Sequence, residues 1–499
     1  MKIRLLSTLL LAGSLYATAQ PTLIKDINPS SGDAYPSWVS GFGNKVVFFA
    51  DNGTDGYELW AYDTAASLQY NINPGAASGG FLIFNSKMAQ SGSHIYFPAD
   101  NGANGLELFR WNGTNAPELA TDVTPSGSSS VSEVYAHDGR VYFSATTPAN
   151  GSELWSYTTS SAYTQRLTDI STGIGNSNPY GFIAYKDKIY FTATSTTMGA
   201  ELYSYNPTTN TVSNVLDINA GLGSSSPQGF IVANNKLYFS AYTNSFGREL
   251  YVFDGINLQR LTNIDNSNLD GVPPVAINQV QLIWFKNKIY FAGDDGLSGP
   301  EFYEYNPANG VASKVYSINP TGSSNPQHFT YYGGKIFFTA DDGTHGEELW
   351  KFDGNLAPAM VADIDTNIGV GSSPANLLRW GTRLYFSAYT VTSGTELYRL
   401  TDSVALSVQN ISFEGNVTVF PNPTTGNTNI KLDVGKDTQL SYTVADISGR
   451  LVYNSAVAKY TKGNNIIEIN LQAAAAGTYI YKLHDAKGRL MASGKIQKQ

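Results

Sequence analysis

Eight glutamates stand at near-regular intervals along the chain: Glu58, Glu107, Glu153, Glu201, Glu249, Glu301, Glu348 and Glu396. Each follows a glycine and one variable residue and precedes an apolar or aromatic pair, as in "GYELW", "GSELW" and "GTELY". Carboxylates are the raw material of general acid–base pairs and of glycosidic-bond cleavage. A catalytic carboxylate is needed once, in one pocket, whereas these eight have equivalent neighbours. They are therefore read as structural acceptors that take hydrogen bonds from loop amides.

A second acidic set lies in glycine turns such as "DNGTDG" and "DDGTHG" and comprises Asp51, Asp55, Asp100, Asp294, Asp295, Asp341 and Asp342. Oxygen ligands beside carbonyl-rich turns suit calcium. The equivalent turns "TTPANG", "TSTTMG" and "YTVTSG" carry no carboxylate, so turn formation is the preferred reading and calcium is kept as the one cofactor candidate. His94, His137, His328, His345 and His484 show no metal-ligand spacing. No nucleophile elbow or phosphate loop is present. No catalytic residue is assigned.

The elements that carry these residues repeat with them. Glutamate spacings of 46 to 52 residues are too short for separate domains and match a four-stranded propeller blade. Within each unit an irregular aromatic strand ("PYGFIAYK") precedes an alternating one ("KIYFTA"). A glycine turn leads to the "ELW" strand, and a fourth piece such as "QRLTDI" ends the unit. Gly, Asn and Asp between short strands are hairpin residues because they accept positive φ. No stretch has a sustained 3.6-residue period, so helix should be nearly absent. The expected fold is all-β: an eight-bladed propeller over residues 20–402, a linker at 403–415 and a small β-sandwich at 416–499.

The fourth-strand phrase occurs eight times, but its first copy, "TLIKDI", precedes any complete unit, and the last third strand, "ELYRL", has no fourth strand after it. Pairing the two would close the ring and remove two open sheet edges. Before this phrase, Lys2 and Arg4, a short apolar run and Ala17-Thr18-Ala19 read as a signal peptide over residues 1–19. No stretch is long and apolar enough for a transmembrane helix. The chain has no cysteine, which excludes disulfides and Cys-ligated metals.

Charge is unevenly placed. The net charge is −9; the first 19 residues carry +2 and residues 411–499 carry +4, which leaves −15 on the middle of the chain. That balance argues against nucleic acid as a partner.

Three ordered motifs occupy the C-terminal segment: "VFPNPTTG" with Pro421, Asn422, Pro423 and Gly426, "DISGRLV" with Gly449 and Arg450, and "GTYIYKLHDAKGR" from Gly477. This segment resembles the type A sorting domain of the type IX secretion system of Bacteroidetes. The repeats resemble the family of secreted bacterial proteins with ELW-type repeats, themselves thought to be propellers. The sorting resemblance implies transit through the periplasm, recognition by an outer-membrane translocon, and release or attachment to surface lipopolysaccharide after tail cleavage.

The function expected is a non-catalytic binding or adhesion protein, secreted or attached at the cell surface, with an extracellular glycan or protein as ligand. A structural surface component and a polysaccharide-acting enzyme are the alternatives. Two inter-unit loops are longer than the rest: 22 residues from Ile72 to His94 and 24 from Ile264 to Lys288, against 17 to 19 elsewhere. If they flank the centre of the ring, Phe81, Asp265 and Asp270 would line a cleft between them.

Overall fold

The computed structural model describes residues 20–63, 66–80, 87–125, 127–265, 267–275, 281–367, 369–401, 415–446, 451–455, 457–472, 474–485 and 490–499. It divides into two compact units, residues 1–402 and 403–499. Among the described residues all regular structure is β-strand.

The larger unit holds eight four-stranded antiparallel sheets, counted among the described residues. Sheet 1 is typical, with strands Ser37–Phe42, Lys45–Asp51, Tyr57–Tyr62 and Ala66–Tyr70 in sequential order. Sheets 2 to 7 repeat this plan along the chain. Sheet 8 departs from it: its first three strands are Ala375–Trp380, Arg383–Thr390 and Gly394–Leu400, and its fourth is Thr22–Lys25 from the start of the unit. Thr22 pairs with Arg399 and Leu23 with Tyr398, so strands more than 370 residues apart share one ladder.

Packing explains the strand composition. The second strands alternate in side-chain size, yet neither of their faces meets water. In Lys45–Asp51 all five central residues are buried. Val46, Phe48 and Ala50 face sheet 8, packing with Tyr385 and Leu397. Val47 and Phe49 face sheet 2, packing with Phe97 and Phe109. The same division recurs in sheet 3, where Val141, Phe143 and Ala145 join sheet 2 and Tyr142 joins sheet 4. A sheet covered on both faces needs apolar residues at every position of its central strands. This accounts for runs such as "KVVFFAD" and for the large aromatic share.

First strands of successive sheets also meet: those of sheets 2 and 3, 3 and 4, 4 and 5, 5 and 6, 7 and 8, and 8 and 1 are in contact.

The smaller unit has a three-stranded sheet (Gly415–Phe420, Asn427–Val434 and Gly463–Asn470) and a five-stranded one containing Thr438–Asp446, Gly477–Asp485 and Leu490–Lys498. Here one face is covered and the other wet, and the pattern alternates accordingly: Ile430, Leu432 and Val434 point into a core with Val444, Ile467, Tyr481 and Ile496.

Removing residues 21–28 deprives sheet 8 of its fourth strand and exposes the paired edge of Gly394–Leu400. It also deletes Ile27, which is buried against sheets 1 and 8. The melting temperature should fall by about 10 °C or more, with aggregation through the bare edge. Unchanged calorimetric melting of this truncation would show that the strand contributes no closure.

Candidate functional site

The eight glutamates occupy one position in one environment. Each lies on a third strand, and each is completely buried, 0% exposed. Each accepts a hydrogen bond from the backbone N–H of the apolar residue that closes the fourth strand. In Glu58 this donor is Ile72 at 2.7 Å, in Glu107 Val123 at 3.0 Å, and in Glu201 Ile218 at 2.9 Å. Ile170, Ile264, Ile318 and Ile364 do the same for Glu153, Glu249, Glu301 and Glu348. Glu396 takes Ile27 and Asn28, both at 3.0 Å, from the N-terminal segment.

A second set of donors comes from the far end of the loop leading to the next sheet. Gly79 N–H donates to Glu58 at 2.7 Å. Ser129, Ser225 and Ser372 each give both an amide and a hydroxyl to Glu107, Glu201 and Glu348, and Ser324 gives its hydroxyl to Glu301. One carboxylate thus holds both ends of an inter-sheet loop. The serines were not singled out from the sequence, although the recurring "GSSS" and "GSSP" before first strands carried the signal.

Burial pushes the carboxyls of Glu58, Glu249, Glu348 and Glu396 up to about 7, against the hydrogen bonds that pull them down. Glu107 and Glu201 are raised for the same reason.

The turn carboxylates are engaged locally. Asp51, Asp100, Asp294 and Asp341 each accept the N–H two residues on, at 2.7 to 2.8 Å. Asp55 accepts from Asn52 Nδ2, and Asp295 from Leu297 N–H, the Tyr303 hydroxyl and Lys314. Asp342 takes the amides of Thr344 and His345 together with the His345 ring. Among the described residues no three His, Asp or Glu side chains are grouped as metal ligands.

Of the residues tied to the long loops, Asp265 is 3% exposed and accepts from Ser267 N–H, while Asp270 accepts from Arg248 N–H at 2.8 Å. Phe81 lies outside the described residues, as do Gly449 and Arg450 of the tail.

In the tail, the Pro421-Asn422-Pro423 segment grips the last strand. Asn422 Nδ2 donates to Lys495 O at 2.9 Å and its Oδ1 accepts from Gln497 N–H at 2.7 Å. Thr428 donates to Pro421 O, and Thr424 bridges to Lys498. Gly426 N–H donates to Thr424 Oγ1, and Gly477 opens strand Gly477–Asp485.

An all-β chain of four-stranded sheets with a separate β-sandwich is the class these features define. Residues 418–497 match the secretion system C-terminal sorting domain, which is the tail of type IX cargo. Such a tail implies engagement of the type IX machinery, export, and attachment at the cell surface. No helix among the described residues is long and apolar enough to cross a membrane.

No curated protein matches the sequence. Among solved structures, PorZ of Porphyromonas gingivalis, an essential bacterial surface component of the type IX secretion system, is 13% identical with a TM-score of 0.39, covering 92% of this chain and 64% of that one. A puromycin-hydrolyzing peptidase of Mycobacterium tuberculosis is 10% identical with a TM-score of 0.41, covering 70% and 57%. A fungal alcohol oxidase of the AA5 family, in complex with copper, is 8% identical with a TM-score of 0.44, covering 97% and 100%. The chain spans less than two thirds of the length of the first two.

Two outcomes follow from the carboxylates. Glu201→Ala leaves the Ile218 amide and the Ser225 hydroxyl without their acceptor, while the Ser225 amide keeps Ala200 O at 3.0 Å, and should cost about 3 kcal/mol, read as a lowered urea midpoint. The pH effect has a defined sign. A carboxyl at about 7 when folded, against an ordinary 4.5, keeps its proton in the folded chain between those values. Stability is then fully present below about 4.5 and lost as pH rises through 7. The melting temperature should be higher at pH 5 than at pH 7.5, and the reverse order would show these groups ionised in the fold.

Proposed function

We propose that the eight sheets are the blades of one eight-bladed propeller, closed by the N-terminal strand, and that this propeller is a non-catalytic recognition module delivered by the type IX system. On this reading the repeats belong with the ELW-type family, and residues 1–19 are a cleaved export signal. The observation that carries the ring is two-faced burial. It is seen in sheets 1 and 3, and sheet 8 packs on sheet 1 as sheet 1 packs on sheet 2.

Recognition is favoured over catalysis because every repeated carboxylate is consumed by backbone donors. The loops that join the sheets also present apolar tips to water. Ile174, Leu222 and Leu269 occupy near-equivalent loop positions after sheets 3, 4 and 5, and all three are exposed. On the propeller reading these loops share one face, where a contiguous apolar patch would mark an interaction surface. An extracellular glycan or protein is the ligand class that such a rim and a secreted address fit. The turn carboxylates leave calcium as an accessory to be tested alongside it.

Two measurements test this reading. Removing residues 411–499 should leave the protein in the periplasm with the melting temperature of the larger unit unchanged. Surface delivery without the tail would sink the sorting role. A binding screen of the full chain against polysaccharides, peptidoglycan and extracellular proteins, with and without calcium, should yield a ligand without turnover. Product release from any polysaccharide would replace recognition with catalysis.

A further inference from the structure

Three consecutive inter-sheet loops carry an aliphatic tip. Ile174 lies after sheet 3, Leu222 after sheet 4 and Leu269 after sheet 5, exposed by 78%, 78% and 64%. The loops after sheets 1, 2 and 6 read "NPGAASGG", "TPSGSSS" and "NPTGSSN", with no large apolar residue. The turns between second and third strands add Phe246 in sheet 5 and Leu297 in sheet 6, the latter 89% exposed. Thr54, Ala103 and Thr344 hold the Leu297 position in sheets 1, 2 and 7. Elsewhere at this end of the sheets Tyr35 and Val391 are about half exposed. The protruding apolar tips gather over sheets 3 to 6.

Hydrogen bonds put these loops at one end of the sheets. Their starts are held by third-strand glutamates through the amides of Ile170, Ile218 and Ile264. Their ends accept from the close of the next sheet's second strand. Thr194 N–H donates to Ser177 O and Tyr242 N–H to Ser225 O, both at 2.8 Å, and Asp294 N–H to Gly271 O at 3.0 Å. Each loop is therefore seated between the second-to-third-strand turns of two sheets, so the tips of loops and turns share a side. A Cβ on Gly173 or Gly221, beside Ile174 and Leu222, would meet no atom within 4 Å. Those two tips stand clear of the body that carries them.

The chemistry of the tips selects among partners. Aliphatic side chains offer a sugar neither a hydrogen bond nor a flat ring, and Phe246 already carries the Arg260 guanidinium 3.5 Å from its centroid. A folded partner would need a separate packed pocket for each protruding side chain. A fluid acyl layer closes around any spacing and removes each side chain from water. Charge decides the kind of lipid. Asp217 accepts Gly221 N–H at 3.0 Å and Asp295 accepts Leu297 N–H at 3.1 Å, so carboxylates lie directly behind two tips. Asp270 follows Leu269 in the chain. These groups repel anionic headgroups and tolerate zwitterionic ones. The sorting tail places the protein at the cell exterior, where it can meet a membrane face on.

We propose that Ile174, Leu222, Leu269 and Leu297 insert into the acyl layer of a zwitterionic lipid surface, which makes this end of sheets 3 to 6 a membrane-docking face. The inference goes beyond the recognition reading: whatever glycan or protein the rim selects, the tips hold the chain on lipid.

Co-sedimentation of the full-length protein with phosphatidylcholine vesicles tests it. The protein should sediment with them equally at low salt and at about 1 M salt, where charge attraction is screened. Leu222→Ser and Leu269→Ser should each weaken binding at least about fivefold and together abolish it. Their melting temperatures should match the parent's, because both side chains are exposed. Ile256→Ser removes an equally exposed residue from the opposite end of sheet 5 and should leave binding intact. Leu222→Trp should add a vesicle-dependent blue shift in fluorescence that the parent lacks. No sedimentation, sedimentation only with anionic phosphatidylglycerol, or binding that the tip variants weaken no more than Ile256→Ser does overturns the docking face. Self-association in solution that Leu222→Ser abolishes also overturns it and assigns the tips to a second copy. A polysaccharide or protein bound alike by parent and tip variants, without sedimentation, overturns the lipid face and leaves the recognition reading standing.

Discussion

A buried carboxylate that collects backbone amides is the interaction on which the larger unit depends. Sheets such as 1 and 3 are covered on both faces, so the chain passes from one sheet to the next along a largely buried edge. Amides such as those of Ile72 and Ile218 lie beyond the strand ladder there and take the glutamate as acceptor. An unpaired buried amide costs as much as a lost hydrogen bond. Glutamate on the third strand answers this with two oxygens, one group holding the departing fourth strand and the other, in most copies, the arriving loop end. Its own desolvation is the cost, which is visible in the raised pKa values.

The same device joins the two ends of the unit. Glu396 holds Ile27 and Asn28 as its counterparts hold their own loops, although those residues lie some 370 positions away. The N-terminal strand therefore arrives at a site already specified by sheet 8, and the ladder from Thr22 to Arg399 completes it. Local contacts build seven sheets from consecutive residues, while the eighth requires the whole chain to be in place. Long-range pairing of this kind forms late because loop-closure entropy must be overcome first.

The sorting tail and the larger unit are built on different rules. The tail alternates wet and dry faces, and its proline-asparagine motif is spent on holding the C-terminal strand, which bears the basic residues Lys495 and Lys498. In the larger unit the described second strands are buried along their centres, and the repeats differ in turns, inter-sheet loops and the bulged start of the first strands. Those are the places where its repeats differ in chemistry while agreeing in backbone.

Periodicity alone determined much of this protein. The eight "ELW" strands, the all-strand character of the described residues, the stray fourth-strand phrase and the separate tail were all legible, because each rests on local pattern or on counting. The roles of the individual side chains were not. The second strands read simply as alternating, and that they are buried was not legible, since a neighbouring sheet is invisible to a strand's own sequence. The partners of Asp265 and Asp270 were not legible either: in the fold their oxygens serve nearby amides. The contacts from Glu133 to Gly181 and from Ser240 to Gln281 have no sequence signature, because the partners lie 48 and 41 residues apart. Only the stacking of sheets, which brings residues of neighbouring repeats side by side, makes these contacts.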